Sequence, residues 1–321
     1  GDKTQQGRNS MKLRVVKTLW GVDEAADTTK WDALFESIAA KGYTGIEVIS
    51  LGWRQNTDLM LDLLTKHRLS LVCQIHTAGG DLVEGKGYIY CSSSDLDVHK
   101  QSFSDLVAEC TKIISRNPAG GFINSHSGSD TWRTEDAVKF LLHALEVEKL
   151  HGIKITHETH RQRLFWNPYI TQDILMHQSL QGQPLKINAD LSHWCAACER
   201  VFDPENEPRD QWWPECLALL AKHVEYNHCR FGWAQGPQIS DPSAPEYSRE
   251  VELQLGWWTT LWKAQQLRGR EDCWVEPEYG PPPYMPCLPH SGAAVADREK
   301  VVDAAHAQLV STFSLTFPAS S

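Results

Sequence analysis

The 321-residue chain has no run that approaches the roughly 18 apolar residues of a membrane-spanning helix, so a membrane is not among its expected partners. Low-complexity tracts are also missing, and 16 Pro and 21 Gly against 41% hydrophobic residues exclude a disordered or fibrous chain. Positive charge is in short supply. With 31 Lys and Arg against 41 Asp and Glu, the formal net charge is -10, a surface that repels phosphate backbones and leaves nucleic acid out as a partner. No Gly-x-Gly-x-x-Gly loop follows the first strand-like run, where KTLWGVDEAAD stands instead, which argues against an open dinucleotide-binding sheet. The nine cysteines form an odd, scattered set, which points to free thiols in a reducing compartment and a cytoplasmic location. Cys195 and Cys198 lack a second C-x-x-C and read as helix-start thiols rather than a zinc or redox pair. The opening residues 1–10 carry no apolar signal-peptide core and are expected to be a disordered tail or cloning remnant, with residues 11–321 forming one domain.

What the chain does contain is a recurrent alternation. Short β-rich runs are each followed by a stretch with apolar residues at three- and four-residue spacing. LRVVKTLWG (13–21) precedes a helix over 31–40, TGIEVIS (44–50) one near 57–67, and SLVCQIHT (70–77) one near 97–116. GFINSHSG (121–128) precedes a helix opened by Thr134 and Asp136, and IKITHETH (153–160) one near 168–180. LKINADLSHW (185–194), VEYNHCRFG (224–232) and CWVEPEYG (273–280) lead to helices near 211–222, 247–267 and 296–311. Eight strand–helix units in a chain of this length fit a single-domain α/β fold, a closed (β/α)8 TIM barrel, better than an open doubly wound sheet.

In such a barrel the C-terminal strand ends open into one basin, so polar residues there meet although they are far apart in sequence. Those ends carry His76, His126, His157, Glu158, His160, Asp190, His193, His228, Arg230, Glu276 and Glu278. Carboxylates and imidazoles on one rim make an oxygen/nitrogen site suited to a divalent ion, and the repulsion among Glu158, Asp190 and Glu278 would be costly without one. Glu276 and Glu278 share a face of a regular strand, so alternation does not choose between them. His157 has the opposite parity to Glu158, but a bent strand end would still deliver it as an extra base. Of 13 tryptophans, Trp20, Trp53, Trp132, Trp166, Trp194 and Trp233 fall at or beyond strand ends, where an indole either packs in the core or offers its face to a ligand. The stiff, aromatic segment 280–292 is placed to rim the basin.

The segments HETH, NADLSHW, YNHCRFGWAQGPQ and PEYGPPPY resemble the sugar isomerase/epimerase superfamily with xylose-isomerase-like barrels, and ketose epimerases of the D-tagatose 3-epimerase type in particular. The resemblance implies Glu158, Asp190, His228 and Glu278 as ligands of one divalent metal, Mn²⁺, Mg²⁺, Co²⁺ or Zn²⁺, with Mn²⁺ the first choice. Glu158 and Glu278 would also be the catalytic acid/base pair. His193, Arg230, His76, His126, His160, His157 and Trp20 are the residues expected to face a small-molecule sugar or sugar derivative. The implied activity is isomerisation or epimerisation by proton abstraction next to a carbonyl, through a metal-stabilised enediolate. Elimination on an oxidised glycoside and a catalytically silent metabolite-binding barrel are the alternatives, and a homo-oligomer is the implied assembly. A DNA-repair endonuclease relative uses a further Asp-x-His motif, which here reads Asp241-Pro242-Ser243 and so argues against DNA cleavage.

Overall fold

The computed structural model describes residues 11–49, 53–83 and 87–318. The expected tail over residues 1–10 lies outside the described residues, as does Ser50 at the end of the second expected strand. Eight parallel strands form the barrel: β1 (Lys12–Thr18), β2 (Gly45–Ile49), β3 (Ser70–His76), β4 (Gly121–His126), β5 (Ile155–Glu158), β6 (Ile187–Asn188), β7 (Val224–His228) and β8 (Asp272–Glu276). They neighbour one another in chain order, and β1 closes on β8 with Lys12 opposite Asp272 and Val15 opposite Val275. That closure excludes the open doubly wound sheet.

Parallel strands covered on both faces need side chains that tolerate burial throughout, and every residue of β3, SLVCQIH, is buried. Inside the barrel Val16, Val72, Phe122 and Tyr226 pack into an apolar plug beneath the basin. Outside, the helices press their apolar stripes on the staves: α1 (Trp31–Ala40) buries Trp31, Phe35 and Ile38, one face of a 3.6-residue repeat. The ring continues with α2 (Thr57–His67), α3 (Leu96–Ile114), α4 (Thr134–His151) and α5 (Pro168–Met176). It is completed by α6 (Ser192–Ala197), α7 (Trp213–Ala221), α8 (Ser248–Leu267) and α9 (Arg298–Thr316). Strand β4 opens on Gly121 because a Cβ there would lie 1.9 Å from the Leu71 carbonyl oxygen. At the end of α4, Gly152 turns the chain back at φ +61°, the handover expected of its position.

Two elements depart from the expected rhythm. An antiparallel hairpin, Asp81–Val83 with Gly87–Ile89, follows β3 and sets Tyr90 at the basin. The run 185–194 is not one strand. Its ladder ends at Asn188, and the Asp190 carboxylate accepts hydrogen bonds from Ser192 N–H (3.1 Å) and Oγ–H (2.5 Å), turning the chain into α6. His193 therefore rides a helix rather than a strand end. Cys195 lies inside that helix and Cys198 caps its C-terminus, not its start, and all nine cysteines are free.

Candidate metal centre

Parallel strands deliver their last side chains to one depth, which brings the chemistry together. Glu158 ends β5, His228 ends β7, Asp190 lies two residues past β6 and Glu278 two past β8. Donor atoms of Asp190, His228 and Glu278 all lie within 4.8 Å of one another, as do those of Glu158, Asp190 and His193. His228 Nδ1 stands 3.5 Å from Glu158 Oε2 and 3.3 Å from Glu278 Oε2. Glu276 and Glu278 part company because the strand stops between them: the Glu278 N–H folds back on the Glu276 carbonyl at 2.9 Å. Glu276 instead faces the other edge of His228, with Glu47 of β2.

The carboxylates are held in place by buried neighbours. Glu158 Oε2 accepts from Asn124 Nδ2 (2.7 Å) and Asn188 Nδ2 (3.2 Å) and lies 2.9 Å from His126 Nε2. Arg230 Nη2 donates to Asp190 Oδ2 at 2.5 Å and lies 2.8 Å from His193 Nε2, while Nη1 stands 3.2 Å from Glu278 Oε2. Burial pushes Glu158 up to about 7 despite the nearby His228, and pushes Asp190 up to about 7 despite Arg230. Burial also works to raise Glu278, but Arg230 and His228 outweigh it and hold that carboxyl well below the usual range. For His228, burial works to lower the pKa, and the surrounding Glu47, Glu158, Glu278 and Glu276 overcome it and raise it.

Whether these residues suit a cation is decided by what they leave unsatisfied. Glu158 Oε1 is buried without a hydrogen-bond partner, and His228 Nδ1 and Glu278 Oε2 have ion-pair neighbours but no hydrogen bond of good geometry, and such atoms cost free energy unless something meets them. Of the five buried acids Glu47, Glu158, Asp190, Glu276 and Glu278, only Asp190 and Glu278 have an ion-pair contact with a permanent cation among the described residues, and both contacts are to Arg230. The donor set of three carboxylates and one imidazole fits a hard or borderline divalent ion.

A pH dependence follows. A carboxyl raised in the folded state stabilises the metal-free fold fully below its unfolded value near 4, and that contribution fades as pH climbs through about 7. A cation needs Glu158 and Asp190 ionised and competes with their protons, which titrate as an interacting pair. If an ion binds there, Mn²⁺ affinity is expected to rise steeply between roughly 5.5 and 7, about tenfold per pH unit for each proton displaced, and to go on rising more gently above, because His228, whose pKa is raised, must also release a proton. Calorimetry in buffers of different ionisation enthalpy checks this, with up to three protons released per ion at about pH 6, from Glu158, Asp190 and His228; a flat profile contradicts it.

Beside the acids opens a cavity of about 510 Å³ whose wall includes Trp20, His76, His126, His160, Arg230 and Tyr284. Five of the seven residues expected to face substrate thus line it. His193 lies directly behind, its ring 3.8 Å from that of His160. His157 is the exception. It points away from the basin, as strand parity requires, hydrogen-bonds Ser127 Oγ (2.7 Å) and packs on Phe103 under α3, so it is no extra base. Of the candidate stacking tryptophans only Trp20 reaches this cavity. Trp194 is fully buried against Trp213 with its N–H on the Phe165 carbonyl, and Trp132 packs on His99 and Phe140. The 280–292 segment does supply the rim, through Tyr284 edge-on to Trp20 at 4.9 Å. Behind Trp20 stands Gly280, where a Cβ would lie 2.2 Å from the indole. Gly280→Ala is expected to displace Trp20 and, for a ligand seated against the indole, to weaken binding about tenfold in equilibrium titrations.

Several residues of the site escaped the sequence reading. Tyr90 lines the same cavity and places its hydroxyl 2.9 Å from His126 Nδ1 and 2.8 Å from His160 Nδ1. Its backbone is latched by buried Arg163, which donates to the carbonyls of Thr77, Tyr90 and Gly128. Asn124 follows the apolar pair Phe122-Ile123 in β4, Asn188 follows Ile187 in β6, and Glu47 is the lone acid of GIEVI. For Glu47, an acid in the middle of an otherwise apolar, fully covered strand is the signal that would have found it.

No family model matches the chain, and no curated protein matches it by sequence. Solved structures do match. A xylose isomerase-like TIM barrel protein from Mycobacterium smegmatis, in complex with magnesium, aligns at TM-score 0.58 and 10% identity over 95% of this chain and 97% of that one. D-allulose 3-epimerase from Methylomonas sp., in complex with D-allulose, aligns at 0.57 and 13% over 94% and 99%. The 3-keto-D-glucoside 4-epimerase of E. coli aligns at 0.52 and 11% over 94% and 99%. By the closure of its eight strands and these alignments, the chain has the xylose isomerase-like TIM barrel fold.

Proposed function

We propose that the protein is a divalent-metal-dependent sugar isomerase or epimerase, with Glu158, Asp190, His228 and Glu278 holding one ion, Mn²⁺ by first choice. The observation that carries this reading is the convergence of three buried acids and one imidazole, with unsatisfied donor atoms, beside a cavity walled by Trp20 and Tyr284. The magnesium and D-allulose found with two of the structural neighbours support the same chemistry. A divalent ion held there would draw electron density from a sugar carbonyl and its neighbouring hydroxyl and acidify the adjoining C–H. Glu158 and Glu278, on two flanks of His228 Nδ1, are the proton carriers: one takes the proton from the carbon beside the carbonyl and the other returns it. Return to the opposite face of that carbon inverts it; return to the former carbonyl carbon exchanges aldose and ketose. Arg230 presents N–H groups to sugar oxygens, His160, whose Nδ1–H is held by the Arg161 carbonyl, accepts a sugar hydroxyl through Nε2, and Trp20 with Tyr284 covers the apolar C–H face and keeps water out.

Deuterium uptake from D₂O tests this. Mn²⁺-loaded protein is expected to label the carbon next to the carbonyl of at least one ketose; stoichiometric metal with no labelling of any sugar overturns the proposal. A second reading is favoured by a second cavity of about 720 Å³, which shares Ile49 and His76 with the first and extends along α3 past Gln101 and Asp105. That room suits the aglycone of an oxidised glycoside, with elimination following the same proton abstraction. Aglycone release without labelling of free ketoses would select it. DNA cleavage finds no support: Asp241 spends Oδ1 on the N–H and hydroxyl of Ser243, closing a local turn. Among the described residues no helix is long and apolar enough to cross a membrane.

A further inference from the structure

The imidazole of His228 has two edges, and they meet different groups. Nδ1 faces Glu158 and Glu278, the acids assigned above to the metal, and has no hydrogen-bond partner. Nε2 faces the barrel interior, 3.3 Å from Glu47 Oε2 and 3.9 Å from Glu276 Oε1. Glu276 is already engaged, since its Oε2 accepts the Tyr226 hydroxyl at 2.8 Å. Glu47 has no such second bond among the described residues and stands the closer of the two to Nε2; its Oε1, like Glu276 Oε1, is buried without a partner, and the residue is 1% exposed in the middle of β2, just above the plug of Val16, Val72, Phe122 and Tyr226. An acid at this position adds nothing to apolar packing and is costly to bury, so the group it meets has to account for it. That group is the ligand-edge histidine, reached from the far side of the barrel.

We propose that Glu47 is the positioning residue of His228: its carboxylate accepts the Nε2–H and thereby leaves the lone pair on Nδ1, aimed between Glu158 and Glu278. A neutral imidazole carries one proton, and whichever nitrogen holds it is lost as a donor of electron pairs. Free of Glu47, the ring would divide between two tautomers and be less fixed in rotation; tied to it, one tautomer and one orientation prevail. The inference rests on the metal-centre reading above and adds to it a residue outside the four ligands, which touches neither ion nor substrate.

The test uses the full chain with Glu47→Leu and Glu47→Gln. Leu removes the acceptor while filling the space; Gln keeps an acceptor oxygen without the charge. Three quantities are read: Mn²⁺ affinity by calorimetry, the melting temperature of the metal-free protein, and the proton spectrum of the Co²⁺-loaded protein. Wild type should show a hyperfine-shifted ring N–H resonance, present in H₂O, absent in D₂O and slow to exchange. Glu47→Leu should bind Mn²⁺ about 10- to 100-fold more weakly, lose that resonance or exchange it fast, and melt no lower than wild type. Glu47→Gln should recover part of the affinity and the resonance, a rescue that a purely structural role would not give. If both variants bind within threefold of wild type and keep the resonance, or if affinity falls only in step with melting temperature, Glu47 does not position His228. If wild type itself takes up neither Mn²⁺ nor Co²⁺, the metal-centre reading fails and the inference falls with it. Should Glu47→Leu not fold, the Gln variant decides by the same resonance and affinity.

Discussion

Glu158→Gln, assayed at saturating Mn²⁺, is expected to lose about 10²- to 10⁴-fold in solvent proton exchange, because it removes the group proposed to carry the proton and leaves one of the same shape. Gln keeps an oxygen for Asn124 and Asn188, which now hold Glu158 Oε2, so the fold should survive and the melting temperature should change little. The readout separates two accounts of one geometry. A silent sugar-binding barrel would keep its ligand affinity in this variant and would have shown no exchange before it. An isomerase keeps much of its sugar affinity and loses turnover. Metal content must be measured alongside, since Glu158 is also an assigned ligand and some occupancy will be lost at lower ion concentrations.

Arg230→Met is expected to have the largest effect on stability and to act in opposite directions with and without metal. Arg230 is 1% exposed and is the permanent cation among the acids, bonded to Asp190 and adjacent to Glu278. Removing one partner of a buried ion pair strands the other, so the metal-free variant should lose about 3–5 kcal/mol in denaturant titrations. Saturating Mn²⁺ should restore much of that, because a divalent ion then supplies the missing charge. Its affinity should tighten about tenfold or more, since a competing positive charge within a few ångströms has gone. Weaker Mn²⁺ binding in Arg230→Met would mean that the guanidinium organises the ligands rather than competing for them.

The contrast between readable and unreadable parts of the site has a simple geometry behind it. His76 and His126 end adjacent strands in register, opposite one another, and Glu158 and His228 end theirs. In a closed parallel barrel a strand's end is also its position at the basin, so hydrophobic alternation alone placed these residues. The expectation of His157 at the substrate rests on a bent strand end, but β5 stays regular through Glu158, so strand parity holds and turns His157 to the far face, against Ser127 and Phe103. The run through Asp190 misled because Ile187, Ala189 and Leu191 alternate like a strand, whereas the Asp190–Ser192 hydrogen bonds, a side-chain matter, end the ladder. Glu276 and Glu278 were inseparable for the converse reason: their parity is equal on a straight strand, and only the backbone bend after Glu276 divides them. Tyr90 and Glu47 carry no periodic signature. Tyr90 depends on a hairpin and on the buried Arg163 latch, and Glu47 owes its meaning to a histidine 181 residues away.

Anomalous diffraction at the manganese edge from crystals of the Mn²⁺-loaded protein is the most direct measurement. The result expected is a single strong peak in direct coordination contact with Glu158, Asp190, His228 Nδ1 and Glu278. A peak elsewhere, a peak touching His228 through Nε2, or none at saturating Mn²⁺ would contradict the account.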